Sequence, residues 1–447
     1  MSLKFGTDGL RGPADELTDE LVVALGRAAA RVLGAERFVI GRDTRASGPR
    51  LAGALAAGIA AEGGRPERLG VVPTPTVAWV AAAEGCPGAV VSASHNPWAD
   101  NGIKLFAAGG HKLADAVEAQ LEAELAAVVD QARAEGGAAP TGPPAGSEEA
   151  AAHVAGWGAS VLGSLAGRDL AGLSVVVDCA NGAASTVGPD LLRRLGATVG
   201  VLHAEPDGRN INDGCGSTHP EALQAAVVAA GADAGLAFDG DADRVLAVDE
   251  AGALVDGDQL IAMLAIDRHE RGVLVGDAVV VTVLSNLGFR LSMAERGIAV
   301  VDTPVGDRHV LEALEHRDLV LGGEQSGHII LRDLATTGDG VLAGIQVLDV
   351  LRRSGRPLSA LVAEAMQRLP QVLRNVPVAE RRSDVAEVLA EAVAAEEARL
   401  GHTGRVLIRP SGTEPLIRVM VEAPDQAVAE AVATRLEAAV LEVCGRP

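Results

Sequence analysis

The sequence predicts an α/β protein of several domains with a smaller α+β domain at its C-terminal end, and three observations lead there. Short β-branched or apolar runs alternate with Ala- and Leu-rich stretches of helical length as far as about Asp349, the rhythm of α/β layers round a mainly parallel sheet. At 447 residues the chain is too long for one core and predicts roughly three or four domains. From about Pro370 the rhythm changes to a helix, two strands joined by a tight loop, and a final helix.

Arg37 to Ile40 reads as a strand, Gly48 to Ala61 as a helix, Gly88 to Val91 as a strand, and Ala114 to Arg133 as a helix. Glu135 to Ser147, rich in Gly, Ala and Pro, is the best linker. The rhythm restarts with strands at Ser174 to Val177, Thr198 to Leu202 and Ala234 to Phe238, and with helices at Gly188 to Leu195 and Pro220 to Ala230. A third unit runs from Val279, with Ala299 to Asp302 and Leu319 to Leu321 as buried strands. In the tail, Ser383 to Leu400 reads as a helix and Arg405 to Ile408 and Ile417 to Val421 as strands. These divisions give domains at 1–150, 151–253, 254–368 and 369–447. No short-period repeat is present, which excludes a solenoid.

Composition narrows the function. Aromatic residues are 2% and Tyr is absent, so base-stacking nucleic-acid readers are excluded, and a net charge of −22 repels nucleic acid and anionic lipid. Anionic ligands must then be captured locally, by Arg and metal. Cys86, Cys179, Cys215 and Cys444 are far apart, which is neither a disulfide framework nor a structural zinc pattern. The N-terminus carries no apolar signal region, and Val273 to Leu291 is interrupted by Asp277, Ser285 and Asn286. A reducing cytoplasm without membrane attachment is the expected setting.

Asp239-Gly240-Asp241-Ala242-Asp243-Arg244 follows a predicted strand. Carboxylates at alternate positions of extended backbone project to one side and can converge on a hard cation. An EF-hand loop is the rival reading, since Glu250 falls at its twelfth position, but Arg244 stands where that turn needs Gly. An aspartyl-phosphate hydrolase would continue differently after Asp239, and an acidic surface turn is the plain alternative. Mg²⁺ suits the few carboxylates better than Ca²⁺, with a phosphate oxygen completing its coordination.

Ser92-Ala93-Ser94-His95-Asn96-Pro97 follows another strand and places a hydroxyl beside an imidazole, although Ser, Asn and Pro also make ordinary turns. Lys104 stands out because lysine occurs only at 4, 104 and 112, while Arg supplies the other positive charge. A retained Lys suits proton shuttling, against the alternative of a surface survivor. Gly6 to Gly12, with Arg11, is a weak phosphate-loop pattern. Gly322 to His328, with Glu324 and Ser326, suits a hydroxyl-rich ligand or a plain turn. Arg409-Pro410-Ser411-Gly412-Thr413-Glu414-Pro415, with Arg418 beyond, is a credible phosphate clamp.

Ser92 to Pro97, Asp239 to Arg244, Gly322 to His328 and Arg409 to Pro415, in this order and spacing, resemble the α-D-phosphohexomutase family over essentially the whole chain. The resemblance implies three related α/β domains with mixed sheets and a fourth shaped like a TATA-binding-protein half, round a central cleft. It implies phosphorylation of Ser94, whose phosphate joins Asp239, Asp241 and Asp243 on one Mg²⁺. Arg11, His95 and Arg244 would neutralise charge, Lys104 would move a proton, and Glu324, Ser326, Gly306 and Asp307 would hold the sugar. Arg409, Ser411, Gly412, Thr413 and Arg418 would hold the non-reacting phosphate.

Gln325 is similar to the branch acting on glucosamine phosphates, where mannose- and glucose-phosphate relatives commonly carry Met. The expected partners are a sugar phosphate, its 1,6-bisphosphate as intermediate and activator, and an initial phosphate donor for Ser94, with a homodimer as one option. The mild departures are Leu284, where Met is common, and the small Ala107 to His111 stretch. Action on mannose or glucose phosphates is the alternative activity. A non-catalytic phosphosugar sensor is the alternative class, but sensors usually lose the nucleophile or a metal ligand.

Overall fold

The computed structural model describes residues 5–6, 9–135, 148–379, 382, 384–411 and 415–445. The chain divides into two compact units, residues 1–283 with 298–363, and residues 284–297 with 364–447. No helix among the described residues is long and apolar enough to cross a membrane.

The larger unit contains three sheets. The first is built from β1 (Phe5–Gly6), β2 (Gly9–Pro13), β3 (Arg37–Arg42), β4 (Arg65–Val71), β5 (Gly88–Val91) and β6 (Asp100–Phe106), in the order β1-β2-β6-β5-β3-β4. The second comprises β7 (Ser174–Asp178), β8 (Thr198–Leu202), β9 (Ala234–Phe238), β10 (Val245–Asp249) and β11 (Leu254–Val255), in the order β11-β10-β9-β7-β8. The third comprises β12 (Ala278–Thr282), β13 (Ala299–Thr303), β14 (Leu321–Gly323) and β15 (Ile329–Leu331), in the order β13-β12-β14-β15.

All three contain one four-strand pattern, with the second strand, the first, the third and the fourth side by side: β4-β3-β5-β6, β8-β7-β9-β10 and β13-β12-β14-β15. The first three strands of each set are parallel and the fourth returns antiparallel. The central strands, such as Ala-Val-Val-Val-Thr in β12, are buried along their length and read as continuous apolar runs, as strands covered on both faces must. The likeness of the three modules is therefore topological, and it explains why no sequence repeat announces it.

The turn from third to fourth strand recurs at equivalent places: residues 92–99 between β5 and β6, 239–244 between β9 and β10, and 324–328 between β14 and β15. Each carries one of the motifs singled out in the sequence. Backbone bonds tie these turns to neighbouring modules, from Thr74 N at a helix start to Asp241 O (2.9 Å), Val245 N at the start of β10 to Gly327 O (3.0 Å) and Gly340 N at a helix start to Ala242 O (3.0 Å).

Several sequence expectations need correction. Ala299 to Asp302 is a half-exposed edge strand, because β13 pairs only with β12. The strand expected at Leu319 to Leu321 runs instead from Leu321 through two glycines, whose lack of a side chain hid the pattern. β6 was missed altogether, since Asp100-Asn101-Gly102 reads as a turn, and so was the helix Glu148–Gly163. The expected helix at Ser383 to Leu400 is two, Val385–Val388 and Ala390–Leu400. Most of the expected linker, residues 136–147, lies outside the described residues.

The smaller unit is a three-stranded antiparallel sheet of β16 (Gln371–Pro377), β17 (Arg405–Pro410) and β18 (Leu416–Glu422), in the order β16-β18-β17, against the helix Gln426–Cys444. Residues 284–297 belong to it. Asn286 exchanges hydrogen bonds with Leu369, its Nδ2 donating to the carbonyl and its Oδ1 accepting from the N–H, both at 3.0 Å. Ser292 donates to the Ala365 carbonyl and Arg405 to that of Ser285.

One glycine fixes the spacing of two functional turns. A Cβ on Gly240 would lie 2.6 Å from the Ser94 carbonyl oxygen and 2.8 Å from Asn212 Nδ2, both held in a buried network. Gly240→Ala is therefore expected to cost about 1–3 kcal/mol through overpacking. Gly53→Ala, in the helix Gly48–Ala61 with nothing nearer than Arg68 Nη1 at 3.6 Å, should instead stabilise by up to about 1 kcal/mol. Thermal melts of both variants check the contrast; equal effects would contradict the packing account.

Candidate active site

The turn after β5 presents Ser94 in a left-handed conformation, φ 52°, which a non-glycine residue keeps only when its surroundings over-determine it, at a cost of about 1–3 kcal/mol. Here they do. Ser94 N donates to Ser92 Oγ at 2.9 Å. Arg45 Nη2 reaches the carbonyls of Ser94 (3.2 Å) and Asn96 (2.5 Å), and Asn212 Nδ2 reaches the same two at 2.9 and 3.0 Å. Arg45 is itself fully buried and ion-paired with the buried Asp43. The result is a fixed Ser94 Oγ that donates to Asp239 Oδ2 at 2.5 Å.

Asp239, Asp241 and Asp243 are all buried, with carboxylate oxygens within 4.8 Å of one another. Burial first, then Asp243 and Asp241, push the Asp239 carboxyl well above the usual range. Asp243 is held well below it: burial opposes ionisation, but Lys104, His328 and Arg244 outweigh it. Lys104 Nζ donates to Asp241 Oδ2 (2.8 Å) and Asp243 Oδ2 (3.0 Å), and Thr74 Oγ1 donates to Asp241 Oδ2 at 2.7 Å. Asp241 Oδ1 and Asp243 Oδ1 are buried without a hydrogen-bond partner. An all-oxygen donor set with two unsatisfied carboxylate oxygens beside a hydroxyl fits a hard divalent cation.

Arg244 N donates to Asp239 Oδ1 at 3.2 Å, and its Nη1 approaches His95 Nδ1 at 3.2 Å. Burial, then the charges of Arg244 and Arg11, lower the His95 pKa to about 4, so the ring is neutral at pH 7 and accepts from Arg244. Arg11 lies on β2, opposite Gly102 of β6 and so next to the Ser94 turn.

The third module supplies a polar rim. Glu324 Oε1 accepts from Gly306 N at 3.0 Å, joining two residues expected at a sugar site. Asp307 instead faces Lys112 Nζ (2.5 Å) and His328 Nε2 (3.3 Å). Burial disfavours protonated His328, but Asp307 and Asp243 raise its pKa overall. Ser326 is exposed.

In the smaller unit Arg409 and Arg418 stand directly opposite on β17 and β18. Burial, then Arg418, lowers the Arg409 pKa, and Arg418 Nε is buried without a hydrogen-bond partner. Like charges facing across a ladder are unfavourable without an anion between them. Ser411 is buried beside them, while Gly412 and Thr413 lie outside the described residues.

Asp43, Arg45, Thr74 and Asn212 were missed in the sequence. They touch the site through the backbone or behind the carboxylates; Asp43 and Arg45, just past the carboxyl end of β3, and Thr74, just past that of β4, stand where a strand-end rule could have flagged them.

A buried hydroxyl, three carboxylates and flanking cations at the carboxyl ends of α/β strands define a centre suited to phosphoryl chemistry. The chain belongs to the phosphoglucomutase/phosphomannomutase family: it matches that family's α/β/α domain I over residues 2–131, domain II over 162–252, domain III over 256–369 and C-terminal domain over 373–439. It is 51% identical to a phosphoglucosamine mutase of Moorella thermoacetica, across 98% of this chain and 99% of the relative. A phosphoglucosamine mutase of Frankia casuarinae is 52% identical over 98% of this chain and 97% of its own. A solved phosphoglucomutase/phosphomannomutase family protein from Burkholderia thailandensis superposes with TM-score 0.77 at 24% identity, covering 97% and 96% of the two chains. Aspergillus fumigatus N-acetylphosphoglucosamine mutase, solved with GlcNAc-6P and magnesium, gives TM-score 0.69 at 19% identity over 99% and 96%.

The depressed His95 pKa gives a pH prediction. As pH falls through the ordinary histidine range, near 6.5, the unfolded chain binds a proton that folded His95 refuses until about pH 4. His95 therefore contributes a stability loss that develops between those values. His95→Gln should show a smaller fall in Tm than the parent between about pH 7 and 5, and the parent's His95 ring resonances should not titrate above about pH 5.5. A ring titrating near 6.5 would contradict the placement.

Proposed function

We propose that the chain interconverts glucosamine 6-phosphate and glucosamine 1-phosphate, as an intramolecular phosphotransferase, through phospho-Ser94 and a glucosamine 1,6-bisphosphate intermediate. The observation that carries this reading is Ser94 Oγ, fixed in a strained turn at 2.5 Å from Asp239 within a buried aspartate triad. Phosphoglucosamine mutases about 50% identical over nearly the whole chain support the choice of sugar.

In this reading Asp239, Asp241, Asp243 and the Ser94 phosphate hold one Mg²⁺, which supplies charge neutralisation at the transferring group. The bond from phosphorus to Ser94 Oγ breaks as one forms to the free hydroxyl of the sugar phosphate. The attacking hydroxyl gives its proton to Lys104, which must first be free of the proton its carboxylate partners favour, and Ser94 Oγ takes up a proton in the same transfer as its bond to phosphorus breaks. In the second transfer Ser94 Oγ gives up that proton and the sugar oxygen that loses phosphorus regains one. Arg11, Arg244 and neutral His95 donate to the phosphoryl oxygens, supplying the positioning and charge stabilisation that phosphoryl transfer chiefly needs. Glu324, Ser326 and the Gly306–Asp307 turn hold sugar hydroxyls. Arg409, Ser411, Gly412, Thr413 and Arg418 hold the phosphate that is not reacting. The bisphosphate then turns end for end and returns its other phosphoryl group to Ser94. A separate donor must charge Ser94 first. Four free, buried cysteines fit a cytoplasmic setting.

Intact-mass analysis should find a fraction of chains heavier by one phosphate, mapping to Ser94, and Ser94→Ala should lose nearly all turnover. With catalytic hexose 1,6-bisphosphate, glucosamine 6-phosphate should be turned over at least tenfold better, in kcat/KM, than the mannose and glucose 6-phosphates. Near-normal turnover by Ser94→Ala would remove the carrier role; a preference for mannose or glucose would remove the sugar assignment alone.

A further inference from the structure

In the second module, away from Ser94, Asp178, His203 and Cys215 bring a carboxylate oxygen, an imidazole nitrogen and a sulfur within 4.8 Å of one another. Asp178 is the last residue of β7, His203 directly follows β8, and Cys215 lies in the loop ahead of the short helix Gly216–Thr218. The transfer chemistry proposed above uses none of them. Asp178 and Cys215 are fully buried, whereas the His203 side chain is 32% exposed and gives the group a route to solvent.

Two features set this group apart from an ordinary buried polar network. The first is its donor chemistry. Carboxylate, imidazole and thiol together form the borderline-to-soft set that binds Zn²⁺ tetrahedrally, and three protein donors leave the fourth position open. The aspartate triad is all oxygen and suits a hard cation, so the chain holds two donor sets of different selectivity.

The second feature is preorganisation. Both oxygens of Asp178 are fixed, Oδ1 by Ala180 N at 2.9 Å, Oδ2 by Gly216 N at 3.0 Å and His203 Nδ1 at 2.9 Å. Backbone donors that orient a ligating carboxylate are a recurrent part of metal sites. The backbone at the donors is also held in the left-handed region: His203 at φ 47°, Ala180 and Asn181 after Asp178 at 54° and 48°, and Gly214 and Gly216 flanking Cys215 at 59° and 70°. Three non-glycine residues in that region are costly, and such strain gathers at ligand sites.

We infer that Asp178, His203 and Cys215 form a second metal site, for a thiophilic divalent cation of the Zn²⁺ class, with its open position on the His203 side. The cation replaces the proton of the 2.9 Å hydrogen bond between His203 Nδ1 and Asp178 Oδ2, the two atoms moving apart to admit it, and Cys215 binds as a thiolate. The displaced proton and the thiol proton both pass to solvent on the His203 side. The site acts on the catalytic centre through the chain between its donors. Asn212, three residues before Cys215, holds the Ser94 and Asn96 carbonyls, so a cation pinning Cys215 to Asp178 also pins one side of the Ser94 clamp.

Co²⁺ is the probe, because its spectrum reports thiolate ligation directly. Full-length protein is stripped with chelator, supplied with excess Mg²⁺ to occupy the all-oxygen triad, and titrated with Co²⁺. One equivalent should give thiolate-to-cobalt charge-transfer absorption in the near ultraviolet and intense tetrahedral bands in the visible. Cys215→Ser should abolish the charge-transfer band, and His203→Ala should weaken Co²⁺ binding at least tenfold. Asp239→Asn should leave the spectrum unchanged, which separates this site from the triad whatever becomes of the sugar assignment. Should Cys215→Ser not fold, by far-ultraviolet circular dichroism, the partly exposed His203 carries the test. Absence of a thiolate band in the parent, a band that survives Cys215→Ser, or binding unaffected by His203→Ala would each show a hydrogen-bonded cluster only and overturn the inference.

Discussion

Three carboxylates buried in one five-residue turn repel one another, and much of the larger unit's polar interior is arranged against that repulsion. Lys104 from β6 bridges Asp241 and Asp243, Thr74 donates to Asp241 from the start of a helix in the first module, and Ser94 donates to Asp239. The balance is incomplete, since Asp239 is pushed well above its ordinary range and two carboxylate oxygens stay unsatisfied. A buried site left short of positive charge is costly to the fold and useful to a protein that must bind a cation there.

The fold supplies the convergence by repetition. Each α/β module places its third and fourth strands antiparallel, and the turn between them falls beside its parallel centre. Using that turn three times puts a hydroxyl on the first, carboxylates on the second and a carboxylate-bearing polar loop on the third. Backbone bonds such as that from Val245 N, where β10 leaves the second turn, to Gly327 O of the third then fix one module against the next. Ser94 needs the strongest restraint, because its conformation is strained, and Arg45 and Asn212 meet that need from two different modules.

Legibility in the sequence followed the range of the physics. The aspartate spacing is local, but the reason the sequence offered needs correction: residues 239–244 form a turn with Ala242 at φ 57°, not extended backbone, so Asp239, Asp241 and Asp243 converge by turn geometry rather than by strand alternation. Their convergence could be read before any fold was known. Most of the parallel strands were visible as apolar runs, but two strands were not: the parallel edge strand β4, Arg-Pro-Glu-Arg-Leu-Gly-Val, is half-exposed and carries charge, and the Asp, Asn, Gly and Lys of β6 serve the site rather than a core. Ser94 was legible only through the family pattern, since nothing in Ser-Ala-Ser-His-Asn-Pro by itself separates a strained nucleophile from a common turn. Arg45 and Asn212 act through carbonyl oxygens of residues far along the chain. Such contacts leave no trace in residue type, and they appear only once the modules are assembled.

The central claim is that Ser94 and the aspartate triad are one site, the serine lending its phosphate to the cation held by the carboxylates. The direct measurement is Mg²⁺ affinity by titration calorimetry on the Ser94-phosphorylated chain, the dephosphorylated chain and Ser94→Ala. Phosphorylation adds anionic oxygen at the position of Ser94 Oγ, 2.5 Å from Asp239, and should tighten Mg²⁺ binding by at least tenfold, about 1.4 kcal/mol. The dephosphorylated and Ser94→Ala chains should bind within a few-fold of each other. Equal affinity in all three forms would contradict the account, and would leave the aspartates a metal site separate from the phosphoryl carrier.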